Sequence, residues 1–170
     1  MMKKINKIIL TAVIALSSLN FTFAQSKVAH INTQELVASM PEMNTAKAEL
    51  EKLAKTYETD IQTMAAELQS KVKQYDTEAP NQTDEENQKR LQEVQGMEQS
   101  IRQYQQQAQS DLQKKEFDLL KPISEKAQAA IITVANAQGF DYVLDSTQGQ
   151  GVILANGKDL MADVKSELGF

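Results

Sequence analysis

The chain has 170 residues, of which 41% are hydrophobic and only 5% aromatic, with no cysteine, no tryptophan and a single histidine. This composition provides few large apolar side chains for one compact core. The absence of cysteine excludes disulfide bonds, thiol nucleophiles and cysteine-based metal sites. The 18 basic and 23 acidic residues give a net charge of −5, which argues against a general attraction to nucleic acid.

The first 24 residues have the features of a secretory signal peptide. Three lysines form a positive start, an apolar run covers 8–21, and the small residue Ala24 precedes the predicted cleavage point. The run is short for a membrane span, although a retained membrane anchor is the alternative. Removing the three lysines would leave 15 basic residues against 23 acidic ones, a net charge of −8. We therefore predict a soluble, exported protein.

The next part of the chain predicts a strand and a brief helix. Residues 27–32 favour a short strand, and 32–35 have the spacing of a capping box, in which the side chains at a helix start bond the free backbone N–H groups. A second such signal follows at 39–42, with Pro41 in the first turn, where its missing N–H costs nothing.

From there a long amphipathic helix is predicted, ending near 78 because Pro80 disfavours helix before it. Its apolar residues recur in steps of three or four, which is a helical period. We call this row the arm seam. Its members on the first helix are Met43, Ala46, Leu50, Leu53, Tyr57, Ile61, Met64, Leu68, Val72 and Tyr75. Such a narrow row on a polar helix buries only against another helix.

A second helix is predicted to return antiparallel, because the turn at 79–82 is short. Residues 83–86 form another capping box with three acids. The returning seam residues are Leu91, Val94, Met97, Ile101, Tyr104, Ala108 and Leu112. Pro122 predicts a kink where the hairpin meets the rest of the protein. The arm is thus expected over 41–122, with its tip near 79–83.

After Pro122 the apolar face becomes denser and predicts a packed base. Gly139 is placed to end the helix in the left-handed conformation. Strands are then expected at 140–145 and 152–155, followed by a closing helix over 158–168.

These elements predict an α+β fold, with a small β body formed by 25–40 and 123–170 and a long antiparallel helical hairpin arm. A body of roughly 60 residues is small for an independent core. Three short strands would also leave open sheet edges. We therefore predict that several copies share one core.

No grouping of residues points to catalysis. His30 has no partner at metal-ligand spacing, and Asp141 and Asp145 fit solvated strand positions better than a catalytic carboxylate pair. The glutamine-rich run 88–113 could contact the backbone of an unfolded chain, but a solvated helix face is the simpler interpretation. We predict no enzyme activity, no cofactor and no metal site.

The order of these parts resembles the Skp/OmpH family of periplasmic chaperones. The closest local matches are 28–32 with Pro41 and Glu42, then 121–123, 135–145, and Asp159 and Leu160 with Val164. The resemblance covers the whole mature chain, although the hairpin matches by length and pattern alone. It implies a periplasmic homotrimer whose arms surround a cavity and hold unfolded outer-membrane proteins, without ATP.

One departure from the family concerns charge. Familiar members are basic, whereas this mature chain is acidic, and the tip lysines and arginine are matched by acids. The four basic tip residues are Lys71, Lys73, Lys89 and Arg90. A site for lipopolysaccharide or anionic lipid is therefore not carried over.

The expected client contacts are seam residues in the outer half of the arm, where hairpin packing is weakest. They are Met64, Leu68, Val72, Tyr75, Leu91, Val94 and Met97. The alternative is a structural coiled-coil spacer or scaffold of the bacterial envelope. The consecutive four-residue steps in the seam argue against it, because a spacer tends to keep strict heptads.

Overall fold

The structure is a computed structural model that describes residues 26–170, so the predicted signal peptide lies outside the described residues. A small sheet and short helices form a base, and a helical hairpin forms an arm. The elements are β1 (Val28–Ile31), α1 (Thr33–Ser39), α2 (Pro41–Glu78), a 3-10 turn (Ala79–Asn81), α3 (Asp84–Gln138), β2 (Tyr142–Asp145), β3 (Lys158–Asp159) and α4 (Met161–Leu168).

The helix starts follow the sequence signals with one exception. Asn32 accepts a hydrogen bond from the Glu35 N–H at 2.9 Å, which caps α1 as predicted. The capping box predicted at 39–42 is wrong, because Met40 occupies the cap position of α2 and makes no side-chain hydrogen bond there. The Ser39 hydroxyl instead donates to the Leu36 carbonyl at 2.7 Å. α2 still begins at Pro41, where no N–H is needed.

The arm consists of α2 and the first part of α3. α2 has 38 residues and α3 has 55, and the two pack side by side in antiparallel directions, as the short turn requires. Thr83 caps α3 by accepting from the Glu86 N–H at 3.2 Å. Pro122 does not interrupt α3, so any bend there lies within a continuous helix. One helix therefore belongs to both the arm and the base.

The sheet has the order β2-β1-β3, with both pairs parallel. The third strand was predicted at 152–155, and this is wrong: β3 is Lys158–Asp159, and the predicted run lies in a loop with Ile153 fully exposed. The reason is Leu160, whose side chain is fully buried and whose N–H donates to the His30 carbonyl at 3.0 Å. This anchor sets the pairing with β1 and delays the closing helix to Met161.

The core lies in the base, between one face of the sheet and the surrounding helices. The largest fully buried side chains are Ile31, Leu36, Met40, Leu160 and Val164. α3 adds Ile123, Ala127, Ala130, Val134 and Ala135. Gly139 ends α3 with a φ of 69°, as predicted, which allows the Phe140 N–H to reach the Ala135 carbonyl at 3.0 Å.

The arm has almost no core of its own. Within α2 only Met43 and Ala46 are buried, and both lie next to the base. Of the α3 residues that face α2 further out, only Ala108 is buried. The remaining seam residues of the hairpin are half-buried or exposed, as expected for two helices that pack only against each other.

Candidate functional site

The seven seam residues predicted as client contacts all lie on the outer half of the arm. Six of them are half-buried between α2 and α3, and Leu91 is 57% exposed. Four line one groove of about 340 Å³ near the tip: Val72, Tyr75, Leu91 and Val94. The other three, Met64, Leu68 and Met97, lie closer to the base and do not line that groove.

Charged side chains lie beside the tip groove, and Arg90 is part of its lining. We call Lys71, Tyr75, Arg90 and Glu93 the tip cluster. The Arg90 guanidinium lies 4.6 Å from the centre of the Tyr75 ring and pairs with Glu78 at 2.8 Å. Glu93 bonds both Lys71 and the Tyr75 hydroxyl. The basic residues of the tip are thus largely neutralised by acids, as the sequence predicted.

The hydrogen bonds of Glu93 shift the ionisation of both partners in its ion pair. The bond from Lys71, and then the one from Tyr75, hold the pKa of the Glu93 carboxyl below its usual range. The same bond raises the pKa of the Lys71 ammonium. Both groups therefore stay charged near neutral pH, so their ion pair persists across the physiological range.

Two tyrosines connect the helices in the middle of the arm. We call Tyr57 and Tyr104 the tyrosine pair. The Tyr57 hydroxyl donates to Asp111 at 2.9 Å, and the Tyr104 hydroxyl donates to Asp60 at 2.6 Å. Their rings meet edge to face, with centroids 5.7 Å apart. The bond to Asp60 raises the pKa of Tyr104 to about 12, because the carboxylate favours the protonated hydroxyl.

A larger apolar groove runs beside the tyrosine pair, closer to the base than the predicted contacts. Its volume is about 730 Å³, and its apolar lining includes Leu50, Ala54, Tyr57, Ile61, Ala108 and Leu112. Glutamine and glutamate side chains form the rest of its wall. Most of these apolar residues were recognised as seam members. The prediction left them out because it placed the weakest packing only in the outer half.

A groove of this kind can bind an apolar side chain and hydrogen-bond a neighbouring backbone at the same time. The aliphatic floor removes apolar surface from water, and the amides of Gln62, Gln105 and Gln109 can donate or accept without preferring a sequence. That combination suits an extended, apolar polypeptide better than a small polar ligand.

A comparison with protein families identifies the chain. The model of the family described as outer membrane protein (OmpH-like) matches residues 27–168, which includes the sheet, both helices of the arm and the closing helix. The chain belongs to the OmpH-like family. Base and arm are thus parts of one family unit.

A solved structure has the same fold. It is an OmpH-like protein from Caulobacter crescentus, described as a candidate outer membrane chaperone. The TM-score is 0.76 with 18% sequence identity, and the match covers 85% of each chain. At this identity the likeness shows that this OmpH-like chain has the same fold as the Caulobacter crescentus protein. No curated protein matches the chain.

The other candidate sites of this OmpH-like chain take part in local structure. His30 lies 3.4 Å from the Ser146 hydroxyl, and Asp141 accepts from the Lys27 N–H at 2.8 Å. In residues 26–170 no three His, Asp or Glu side chains are grouped so that they could hold a metal ion. Over the same range, none of the helices combines the length and apolar character needed to cross a membrane.

Proposed function

We propose that this protein is a periplasmic chaperone that holds unfolded outer-membrane proteins against its arms and prevents their aggregation. Membership in the OmpH-like family supports a role with outer-membrane proteins in general. The observation that carries the proposal is the apolar groove of about 730 Å³ along an otherwise polar arm. Export through the segment 1–24 would bring the protein to the periplasm.

The holding mechanism uses affinity alone, without ATP. Binding an unfolded chain lowers the concentration of its free, aggregation-prone form by mass action, and no chemical step is needed. The amide-rich arm tolerates many sequences, since its polar groups can bond any peptide backbone. The tip groove and the mid-arm groove would each take an apolar side chain of an extended client.

We also propose that the protein acts as a homotrimer, joined at its base. The outer face of the sheet supports self-association, because Val28, Tyr142 and Leu144 on it are 43%, 60% and 46% exposed. The strand register places Val28 beside Tyr142, and Leu144 follows two residues further along the same face. Exposed apolar side chains grouped on one face of a sheet mark an interaction surface.

The chaperone proposal is tested with a denatured porin diluted into buffer, with aggregation followed by light scattering. The purified mature protein should suppress scattering at a molar ratio near one assembly per porin, with no nucleotide present. Unchanged scattering at that ratio would refute the proposal. A spacer would behave in this way, because it binds a folded partner instead.

A variant test assigns the client contact to the tip groove. Leu91→Ser removes an exposed apolar side chain from the groove, and we expect about a threefold to tenfold weaker suppression, the effect of losing one apolar contact. Gln92→Ser is the matched control, since it introduces serine at the adjacent position without removing apolar surface. Equal suppression by both variants would exclude Leu91 as a contact.

A further inference from the structure

The mid-arm groove, which is the groove of about 730 Å³ beside the tyrosine pair, has only acids among its charged lining residues. Glu51 and Glu58 lie on α2, and Glu116 lies on α3. Glutamines form the rest of the rim, and the floor is apolar. In the part of the chain that the structure describes, no lysine or arginine lines this groove. The lining therefore suits a ligand that combines an apolar side chain with a positive charge.

Two of these three carboxylates are not neutralised within the chain. Glu58 already forms an ion pair with Lys55 at 2.9 Å. Within residues 26–170, no ion pair and no side-chain hydrogen bond reaches Glu51 or Glu116, and both side chains are exposed. These two carboxylates are thus free to contact a bound cation.

The two free carboxylates lie at the same level of the arm, on opposite sides of the groove. The ion pair between Glu49 and Lys115, at 2.6 Å, fixes which turns of α2 and α3 lie side by side. Glu51 and Glu116 are two residues and one residue from this pair, so they lie within about one helical turn of each other along the arm. Like charges placed in this way repel each other, and a cation between them relieves the repulsion.

Glu116 also lies where two apolar surfaces meet. A second groove, of about 510 Å³, runs from the mid-arm groove towards the base and shares Gln113 and Glu116 with it. Its lining includes Phe117, which is 64% exposed. A cation at Glu116 can therefore belong to a chain segment that places an apolar side chain on either side of it.

We propose that the mid-arm groove selects unfolded segments in which an apolar residue is accompanied by a lysine or an arginine. The apolar side chain packs on the floor near Leu112, and the cation lies between Glu51 and Glu116. Leu112 is four residues from Glu116, about 6 Å along α3, which an extended chain spans in about two residues. The tip groove is lined by one acid and one base, Asp76 and Arg90, and should show no such preference.

Peptide binding tests this selection separately from chaperone activity. The inference rests on the proposed function, since it names the kind of client segment that the same groove holds. Two short fluorescent peptides share one apolar sequence and differ in a single residue, two positions from a central leucine, which is lysine in the first and glutamate in the second. Fluorescence anisotropy with the purified mature protein should show about threefold to tenfold tighter binding of the lysine peptide, the effect of two exposed charge contacts.

Substitutions assign the preference to the groove. Glu116→Gln should weaken binding of the lysine peptide about twofold to threefold, because one of the two charge contacts is lost. Glu67→Gln is the matched control, since it removes the same charge from an exposed position of α2 that lines neither the mid-arm groove nor the tip groove. It should leave the binding of both peptides unchanged. Charge reversal by Glu51→Lys combined with Glu116→Lys should make the glutamate peptide the tighter ligand.

The selection is overturned if the wild-type protein binds the two peptides equally or binds neither of them. It is also overturned if Glu116→Gln and Glu67→Gln have the same effect, because the preference would then come from the net charge of the chain. The porin assay separates these failures from a failure of the proposed function. Suppressed aggregation without a peptide preference refutes the selection alone, whereas a peptide preference without suppression refutes the chaperone function alone.

Discussion

Asp145 and Thr147 join the end of β2 to the start of α1. The Asp145 carboxylate accepts from the Thr33 hydroxyl at 2.7 Å and from the Thr147 N–H at 2.9 Å. The Thr147 hydroxyl, in a residue that is only 7% exposed, donates to Asn32 at 3.0 Å. Asp145 is therefore a structural acceptor within the base, and the prediction of a solvated strand position is wrong for it.

These hydrogen bonds make the stability of the base depend on pH. Partial burial alone would raise the pKa of Asp145, but the bonds from Thr147 and Thr33 outweigh burial and lower the pKa to about 2. The folded-state pKa thus lies below the ordinary value of 3.8. The stabilisation is fully present above about pH 4, and it is lost as the pH falls through about 2.

Asp145→Asn should lower the free energy of unfolding by about 1–2 kcal/mol at pH 7, because one charged acceptor is replaced by a neutral one. Urea unfolding at pH 7, 4 and 3 measures the difference, which should shrink as the pH falls below about 4, because the Asp145 carboxyl of the unfolded chain is protonated before that of the folded chain. Asp141→Asn is the matched control, with an exposed carboxylate and a small expected effect. A difference that persists undiminished at pH 3 would contradict the linkage.

The start of α3 shows how one cap defines an element. Thr83 satisfies the Glu86 N–H, and Asp84, Glu85 and Glu86 place negative charge at the positive end of the helix dipole. The first turn of α3 also holds the tip turn, since the Asn87 amide donates to the Ala79 carbonyl at 3.1 Å. Helix start and tip turn thus form one unit.

Thr83→Ala should destabilise the arm by about 1 kcal/mol, the usual cost of losing a helix cap. We expect faster amide exchange in 84–90, measured by hydrogen exchange, with little change in the base. Thr63→Ala is the control, since Thr63 lies inside α2 and its hydroxyl only bonds the Thr59 carbonyl. Alanine there should slow exchange slightly, because it is the better helix former. If both variants changed the rate of amide exchange in the same direction, the capping role of Thr83 would be contradicted.

The molecule as a whole is divided between a base that has a core and an arm that has almost none. The base buries Leu36, Leu160 and Val164 completely, while Val28, Tyr142 and Leu144 lie exposed on the outer face of its sheet. The parallel sheet has β2 and β3 at its edges. Parallel sheets are normally covered on both faces, which supports the proposed contact between copies.

Leu144→Glu should convert the assembly to single chains, because it buries a charge in the proposed interface between copies. Light scattering combined with size-exclusion chromatography measures the mass, which should fall about threefold if the assembly is a trimer. Leu91→Glu adds the same charge on the arm and should leave the mass unchanged. An unaltered mass for Leu144→Glu would place the interface elsewhere.

The sequence by itself determined the helices of the arm, the Thr83 cap of the returning helix, the antiparallel return and the α+β class. These features depend on local chemistry: a three-to-four-residue apolar period, Thr83 and Gly139 at helix ends, and a short turn around Pro80. The family resemblance added the expected fold of a small β body with a long helical arm, which the OmpH-like match confirms, whereas the homotrimer stays a proposal. The seven proposed client contacts remain predictions, and the structure groups four of them in one groove.

Only the tertiary structure decided the third strand, the role of Asp145 and the position of the larger groove. The apolar run 152–155 has a strand-like composition, yet β1 pairs with Lys158 and Asp159, because burying Leu160 fixes the register. Asp145 and Thr33 are 112 residues apart in the chain. Contacts of this kind depend on which distant segments meet, and no local pattern of residue types records that.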